Sequence, residues 1–118
     1  MEPSEKLNQR ILETAAQLKQ PLRSARIHSR DVFYHEENVP NHEDFYREHG
    51  CVCVEMESFA LFHNARILGK NAACLLTISD SLVSKSATSA QERQTSFHQM
   101  MVLALESACA LEEEDTRA

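Results

Sequence analysis

Apolar positions along this chain alternate between a helical period and strand-like runs. Over residues 4–18, Leu7, Ile11, Ala15 and Leu18 recur at helical spacing, and Pro21 closes the segment. "SARIHSRDVFY" (24–34) then reads as a strand, with Ile27, Val32 and Phe33 among mixed polar neighbours. Beyond Pro40, Asn41 can cap a short helix carrying Phe45 and Tyr46, which stops at Gly50. "CVCVEM" (51–56) is a second strand. A helix over 58–68 follows, with Phe59, Phe62, Ala65 and Arg66 in register and Gly69 as its stop. "AACLLTIS" (72–79) is a near-continuous apolar run, the pattern of a strand covered on both faces. A polar linker, "DSLVSKSATS" (80–89), leads to the last helix, where Ser89 and Glu92 form an S-x-x-E capping box. Phe97, Met100, Met101, Ala104, Ala108 and Leu111 are its expected buried stripe, and "EEEDTRA" (112–118) is expected to fray into solvent.

Helices alternating with strands across short links predict an α/β fold, a three-layer αβα arrangement on a mostly parallel sheet. The 118 residues amount to one domain. In such sheets the ligand crevice lies outside the carboxyl ends of the strands. "EME" closing the second strand and Ser79-Asp80 closing the third both fall there, and Phe33, near the end of the first, joins them.

Charge and composition narrow the function. A net charge of −6 argues against a nucleic-acid surface, which would need a basic patch. No apolar run is long enough to span a bilayer, and no basic region precedes one, so a soluble cytoplasmic protein is expected. Cys51, Cys53, Cys74 and Cys109 lie in apolar segments without a C-x-x-C pair, and read as buried free thiols. His28, His35, His42 and His49 recur every seven residues, but Pro40 and Gly50 interrupt any helix that would align them. No metal site is expected from them. With only Gly50 and Gly69, there is no glycine-rich phosphate loop, and no Ser or Cys nucleophile has a His at triad spacing.

Glu55 and Glu57 remain to be explained. On one strand, Cys51, Cys53, Glu55 and Glu57 would share a face, and an unpartnered buried carboxylate is costly. Two readings stand side by side. The pair either lines a cleft as working carboxylates or caps the helix that follows, since acidic groups favour a helix N-terminus. Asp80 is likewise either a functional strand-end acid or a loop residue bonding its own backbone.

"VEMES", then "LTISDSL", then "TSAQERQTSFHQMM" together resemble the bacterial hexameric purine nucleoside phosphorylases of the nucleoside phosphorylase superfamily. "SRDVFY" matches a segment upstream. "VEMES" is shared across the superfamily, nucleosidases included; the S-D pair followed by "ERQTSF" is more specific to the purine enzymes.

The resemblance implies a set of roles. Asp80 corresponds to the general acid that protonates the purine at N7, and Ser79 to its neighbour lining the base site. Arg93, in "ERQT", corresponds to the arginine that approaches that aspartate. Glu57 corresponds to the carboxylate that holds the ribose hydroxyls, with Met56 packing on the sugar and Glu55 beside it. Phe33 resembles the aromatic near the nucleoside. The implied reaction is phosphorolysis of purine (deoxy)ribonucleosides, with inorganic phosphate as co-substrate, no cofactor, and a homo-oligomeric assembly.

Only the C-terminal half of the family pattern is matched. The family's phosphate-binding glycine, arginines and histidine-bearing segment have no counterpart here, and Met1 opens directly into a helix the family places mid-chain. The chain is therefore expected to be a truncated product or the partner of a separate half. Two other functions fit the same residues. One is a nucleosidase using water, against which "ERQTSF" argues. The other is a non-catalytic fragment that binds nucleoside or serves in assembly.

Overall fold

A computed structural model describes residues 1–31, 42–78 and 89–117. The element order is α1 (Glu5–Gln17), β1 (Arg26–Ser29), α2 (His42–His49), β2 (Cys51–Glu55), α3 (Ser58–Leu68) and α4 (Ala90–Arg117). The two strands pair in parallel, so the fold is α/β as the alternation predicts.

Helix α1 turns Ile11, Thr14 and Ala15 inward; Ile11 and Ala15 belong to the expected stripe, Leu7 is half-buried, and Leu18, expected on the same face, is exposed. The Thr14 hydroxyl answers the helix interior by donating to the Arg10 carbonyl at 2.7 Å. The helix ends before Pro21 is reached. Lys19 takes a left-handed conformation (φ 54°), its N–H bonds Ala16 O at 3.1 Å, and the Gln20 N–H bonds Ala15 O at 2.9 Å. That pair of bonds closes the last turn, and proline merely follows it.

Both predicted glycine stops hold. Gly50 (φ 70°) turns α2 into β2, and Gly69 (φ 65°) ends α3. At the latter, Gly69 N–H bonds Arg66 O at 3.3 Å and Lys70 N–H bonds Ala65 O at 2.8 Å. A side chain would be strained at either position.

Strand β1 is shorter than the 24–34 run suggested, and Val32 and Phe33 lie outside the described residues. Arg26 sits opposite Cys51 and Ile27 opposite Cys53, so Val52 is an extra residue at an irregularity; His28–Val54 and Ser29–Glu55 then continue the register. Helix α2 is fastened to this pair. Arg26 Nη1 donates to His49 O at 2.9 Å, and the His28 and Tyr46 rings meet edge to face at 5.8 Å.

The expected third strand is not formed over its described part. Residues 72–78 carry no strand ladder, and the described sheet has two strands. The run is instead held from the side. Ser4 N–H bonds Ala72 O and Ala72 N–H bonds Ser4 Oγ, both at 2.8 Å, while Ala73 and Leu75 pack on the Ile11, Ala15 and Leu103 core. The expected cover on both faces is also incomplete, since Leu76 and Ile78 are exposed; an apolar run does not by itself specify a hydrogen-bonding neighbour.

Helix α4 opens on the predicted capping box: Glu92 N–H bonds Ser89 Oγ at 3.1 Å, and Ser89 N–H bonds Glu92 Oε2 at 3.2 Å. Its buried face only partly matches the expected stripe. Leu111 is buried and Met100 half-buried as expected, but Phe97, Met101, Ala104 and Ala108 are exposed, and Leu103 and Ser107 are buried in their place. Ser107 hides the true stripe in the sequence, and its hydroxyl is satisfied by Leu103 O at 2.7 Å. The acidic end is helical to Arg117 instead of frayed, because α1 offers it cations: Lys6 pairs with Asp115 and Arg10 with Glu114.

Candidate functional site at the end of β2

Strand β2 stops at Glu55, so Met56 and Glu57 belong to the turn into α3 and do not continue a strand face. The cause is the Glu55 side chain. Its Oε2 accepts the N–H groups of Glu57 and Ser58, each at 2.7 Å, and its Oε1 accepts the Ser58 hydroxyl. These are donors a helix N-terminus otherwise leaves without partners. Ser29, opposite Glu55 in the register, completes the arrangement by accepting the Phe59 N–H at 3.1 Å. The first turn of α3 is thus capped by the ends of both strands.

Burial pushes the Glu55 carboxyl up. Bonds from the Ser58 hydroxyl, the Glu57 and Ser58 N–H groups and the Ser29 hydroxyl outweigh it and hold the group below its ordinary range. Glu55 is therefore an anion fixed in place.

Glu57 is its opposite. It occupies the N-cap position of α3 without a side-chain capping bond, and its carboxylate is exposed and accepts no hydrogen bond among the described residues. Met56 beside it is 40% exposed. The two sequence readings of the glutamate pair thus divide between its members. Glu55 caps, and Glu57 remains available at the carboxyl end of a parallel strand. Ser29 and Ser58, which fix this geometry, escaped the sequence reading; a serine three residues after Glu55 at a helix start was the available signal.

The run before Ser79 and Asp80 approaches the same turn. Burial raises the Cys74 thiol, and the charges of Glu55, Cys53 and Glu57 raise it further. Burial followed by Glu55 does the same for Cys53. Both thiols are kept protonated, as inert core groups are. Thr77 Oγ1 donates to Met100 Sδ at 3.4 Å, which ties this run to α4. Arg93 lies seven residues before Met100 in the first turn of α4, exposed. Two turns place it on the same helix side, about 10 Å along the axis. Phe33, Ser79 and Asp80 lie outside the described residues.

Among the described residues no group of three His, Cys, Asp or Glu side chains could hold a metal ion, and no helix is long and apolar enough to cross a membrane.

Residues 1–114 match the Phosphorylase superfamily. The chain belongs to that family. It is 43% identical over 88 residues to the DeoD-type purine nucleoside phosphorylase of Clostridium beijerinckii, covering 73% of this chain and 35% of that protein. To the DeoD-type enzyme of Dichelobacter nodosus it is 38% identical over 101 residues, 86% of this chain and 42% of that one. To that of Psychromonas ingrahamii it is 36% identical over 107 residues, 91% and 44% respectively. The chain thus spans less than half the length of these phosphorylase relatives.

Proposed function

We propose that this chain is the nucleoside-binding, C-terminal half of a purine nucleoside phosphorylase. The observation that carries the reading is the division of labour at the end of β2. Glu55 is consumed in holding the turn, and Glu57 is thereby presented as an exposed, unbonded carboxylate. Such a group can accept two ribose hydroxyls, and its charge favours the cation that develops on the sugar as the glycosidic bond breaks. Met56 packs against the sugar and Phe33 near the nucleoside.

In this reaction a phosphate oxygen attacks the anomeric carbon and the carbon–nitrogen bond breaks. Its electron pair passes into the purine, which Asp80 protonates at N7 while Ser79 lines the base site. General-acid assistance of this kind contributes about a hundredfold to ten-thousandfold. The contact of Thr77 with α4 supports a role for Arg93 beside Asp80, since it brings the run that precedes Asp80 onto the helix that carries the arginine. Inorganic phosphate is the co-substrate, no cofactor is needed, and the phosphate cradle comes from a segment outside the matched half. Assembly is homo-oligomeric at the level of the completed domain.

The test is release of free purine from inosine, with and without phosphate. It is run on this chain alone and on the chain combined with the N-terminal part of a DeoD-type relative. Phosphate-dependent release that appears on combination and is lost in Glu57→Ala supports the reading. Release independent of phosphate makes the protein a nucleosidase. No release in either condition, with no nucleoside binding, leaves a non-catalytic assembly fragment and overturns the proposal.

A further inference from the structure

The Glu57 carboxylate accepts no hydrogen bond among the described residues, so it lies where the turn after β2 puts it. A carboxylate that is to accept two neighbouring hydroxyls must be held within about 0.5 Å of the bonded geometry. That precision has to come from the backbone bonds of residues 57–59. Two of them, from the Glu57 and Ser58 N–H groups, end on Glu55 inside the same turn. The third ends on the other strand. The Phe59 N–H donates to Ser29 Oγ at 3.1 Å, across 30 residues of chain.

The Ser29 hydroxyl also bonds the Glu55 carboxylate, so one oxygen donates to the acid and accepts from the helix start. An alanine could do neither. Ser29 is firmly placed for both bonds. It lies opposite Glu55 in the parallel register, the Arg30 N–H that follows it bonds Glu55 O at 3.0 Å, and the residue is half-buried. The serine is thus fixed to β2 by the ladder before its side chain reaches α3. Without the hydroxyl, Phe59 N–H loses its acceptor two residues from Glu57, and the turn is tied to one strand instead of two.

We propose that Ser29 is a positioning residue for ribose recognition. Its hydroxyl holds the turn that presents Glu57 to the sugar, and it touches no part of the nucleoside itself. The inference rests on the reading of Glu57 as the ribose carboxylate. Glu55 holds the same turn, but its loss removes a charge and two capping bonds together and so disturbs the fold. Ser29→Ala removes one neutral hydroxyl at the edge of the turn. The consequence is selective. An effect carried through Glu57 is felt by nucleosides that have secondary ribose hydroxyls and not by those that lack them.

The test is equilibrium dialysis of inosine and of its dideoxy analogue, which lacks both secondary ribose hydroxyls. It uses the full chain completed with the N-terminal part of a DeoD-type relative. Ser29→Ala is expected to weaken inosine binding by about threefold to tenfold and to leave the dideoxy analogue unchanged. In a Glu57→Ala background, Ser29→Ala is expected to add no further loss, since its effect runs through that carboxylate. On the 118-residue chain alone, amide exchange at Phe59 is expected to quicken by at least about threefold in Ser29→Ala. The inference is overturned if Ser29→Ala binds inosine like the parent, if both ligands weaken alike, if the losses at Ser29 and Glu57 add in full, or if exchange at Phe59 does not change. Should Glu57→Ala itself bind inosine like the parent, the ribose reading of Glu57 falls and this inference with it. A loss at Glu57 with none at Ser29 removes this inference alone.

Discussion

Glu55 and Ser58 are bonded twice, the carboxylate accepting both the backbone N–H of Ser58, at 2.7 Å, and its hydroxyl. The pair joins the last residue of β2 to the first of α3, and so fixes where the chain turns. Removing the acceptor in Glu55→Ala leaves two N–H groups at a helix start without a partner, which costs about 1–2 kcal/mol by comparison with other capping losses. The charge has its own signature. Because the folded carboxyl is held below its ordinary value of 4.5, its stabilisation is complete above that pH and disappears as pH falls through the lower folded value. In urea titrations the gap between the native chain and Glu55→Gln is therefore expected to be full at pH 7 and to close in acid. A gap that persists unchanged at pH 3 would mean that the charge contributes nothing.

The face that α4 presents to α1 is settled by Leu103, 1% exposed and packed on Ile11 and Ala15. Leu103→Ala is expected to cost about 2–5 kcal/mol through lost burial and the cavity left behind. Met101→Ala, on the side the apolar spacing favours but 54% exposed, should fall within about 0.5 kcal/mol of the parent. Equal losses at the two positions would place the helix in the other rotation.

These two sites mark how far the sequence could be read. Helix ends were legible wherever one residue type meets a backbone demand, as at Gly69 and in the Ser89–Glu92 box, because the bonds involved are local. The rotation of α4 was not, since Met101, Val102 and Leu105 make several faces apolar and the buried one contains a serine. Long-range pairing was equally hidden. The apolar run 72–78 announces burial, but its pairing depends on what lies beside it. The acidic end looked solvent-bound because its partners, Lys6 and Arg10, stand about a hundred residues away. At the site itself the two glutamates were found by position, yet which of them is spent on capping is decided by the turn after Glu55, which brings the Glu57 and Ser58 N–H groups onto its carboxylate.

Lys19 ends α1 in a conformation that costs a residue with a side chain more than it costs glycine. Lys19→Gly is expected to raise stability by about 0.5 kcal/mol, the relief of strain exceeding the added freedom of the unfolded chain. Thermal unfolding of the two proteins at equal concentration measures it. A lower midpoint for the glycine variant would show that the lysine stem contributes packing that outweighs its backbone strain.

Glu57→Ala separates binding from folding. Its carboxylate caps nothing, so unfolding should shift by no more than about 0.5 kcal/mol, in contrast with Glu55→Ala. Nucleoside affinity, measured by equilibrium dialysis on the chain completed with its complementary half, should fall by at least about tenfold with the loss of two charge-assisted bonds. Unaltered affinity would move the ribose contact to another residue.

The proposed roles of Asp80 and Arg93 make opposite demands on the substrate. If Asp80 delivers a proton to the leaving purine, Asp80→Asn in the completed enzyme should lose most of its turnover on inosine. A nucleoside whose leaving group departs without a proton should be nearly unaffected. The expected loss on inosine is about a hundredfold or more. Arg93 stands two turns before Met100, which receives the Thr77 hydroxyl, and its proposed role is to act on Asp80 and not on the sugar. Arg93→Ala should then lower kcat more than it raises KM, because the arginine acts when the acid is brought to the base and not when the nucleoside first binds. Arg93→Lys should restore part of the loss, since a cation is retained although its two-pronged geometry is not. Equal damage by Asp80→Asn on both classes of substrate would make Asp80 a structural residue, and Arg93 would lose its role with it.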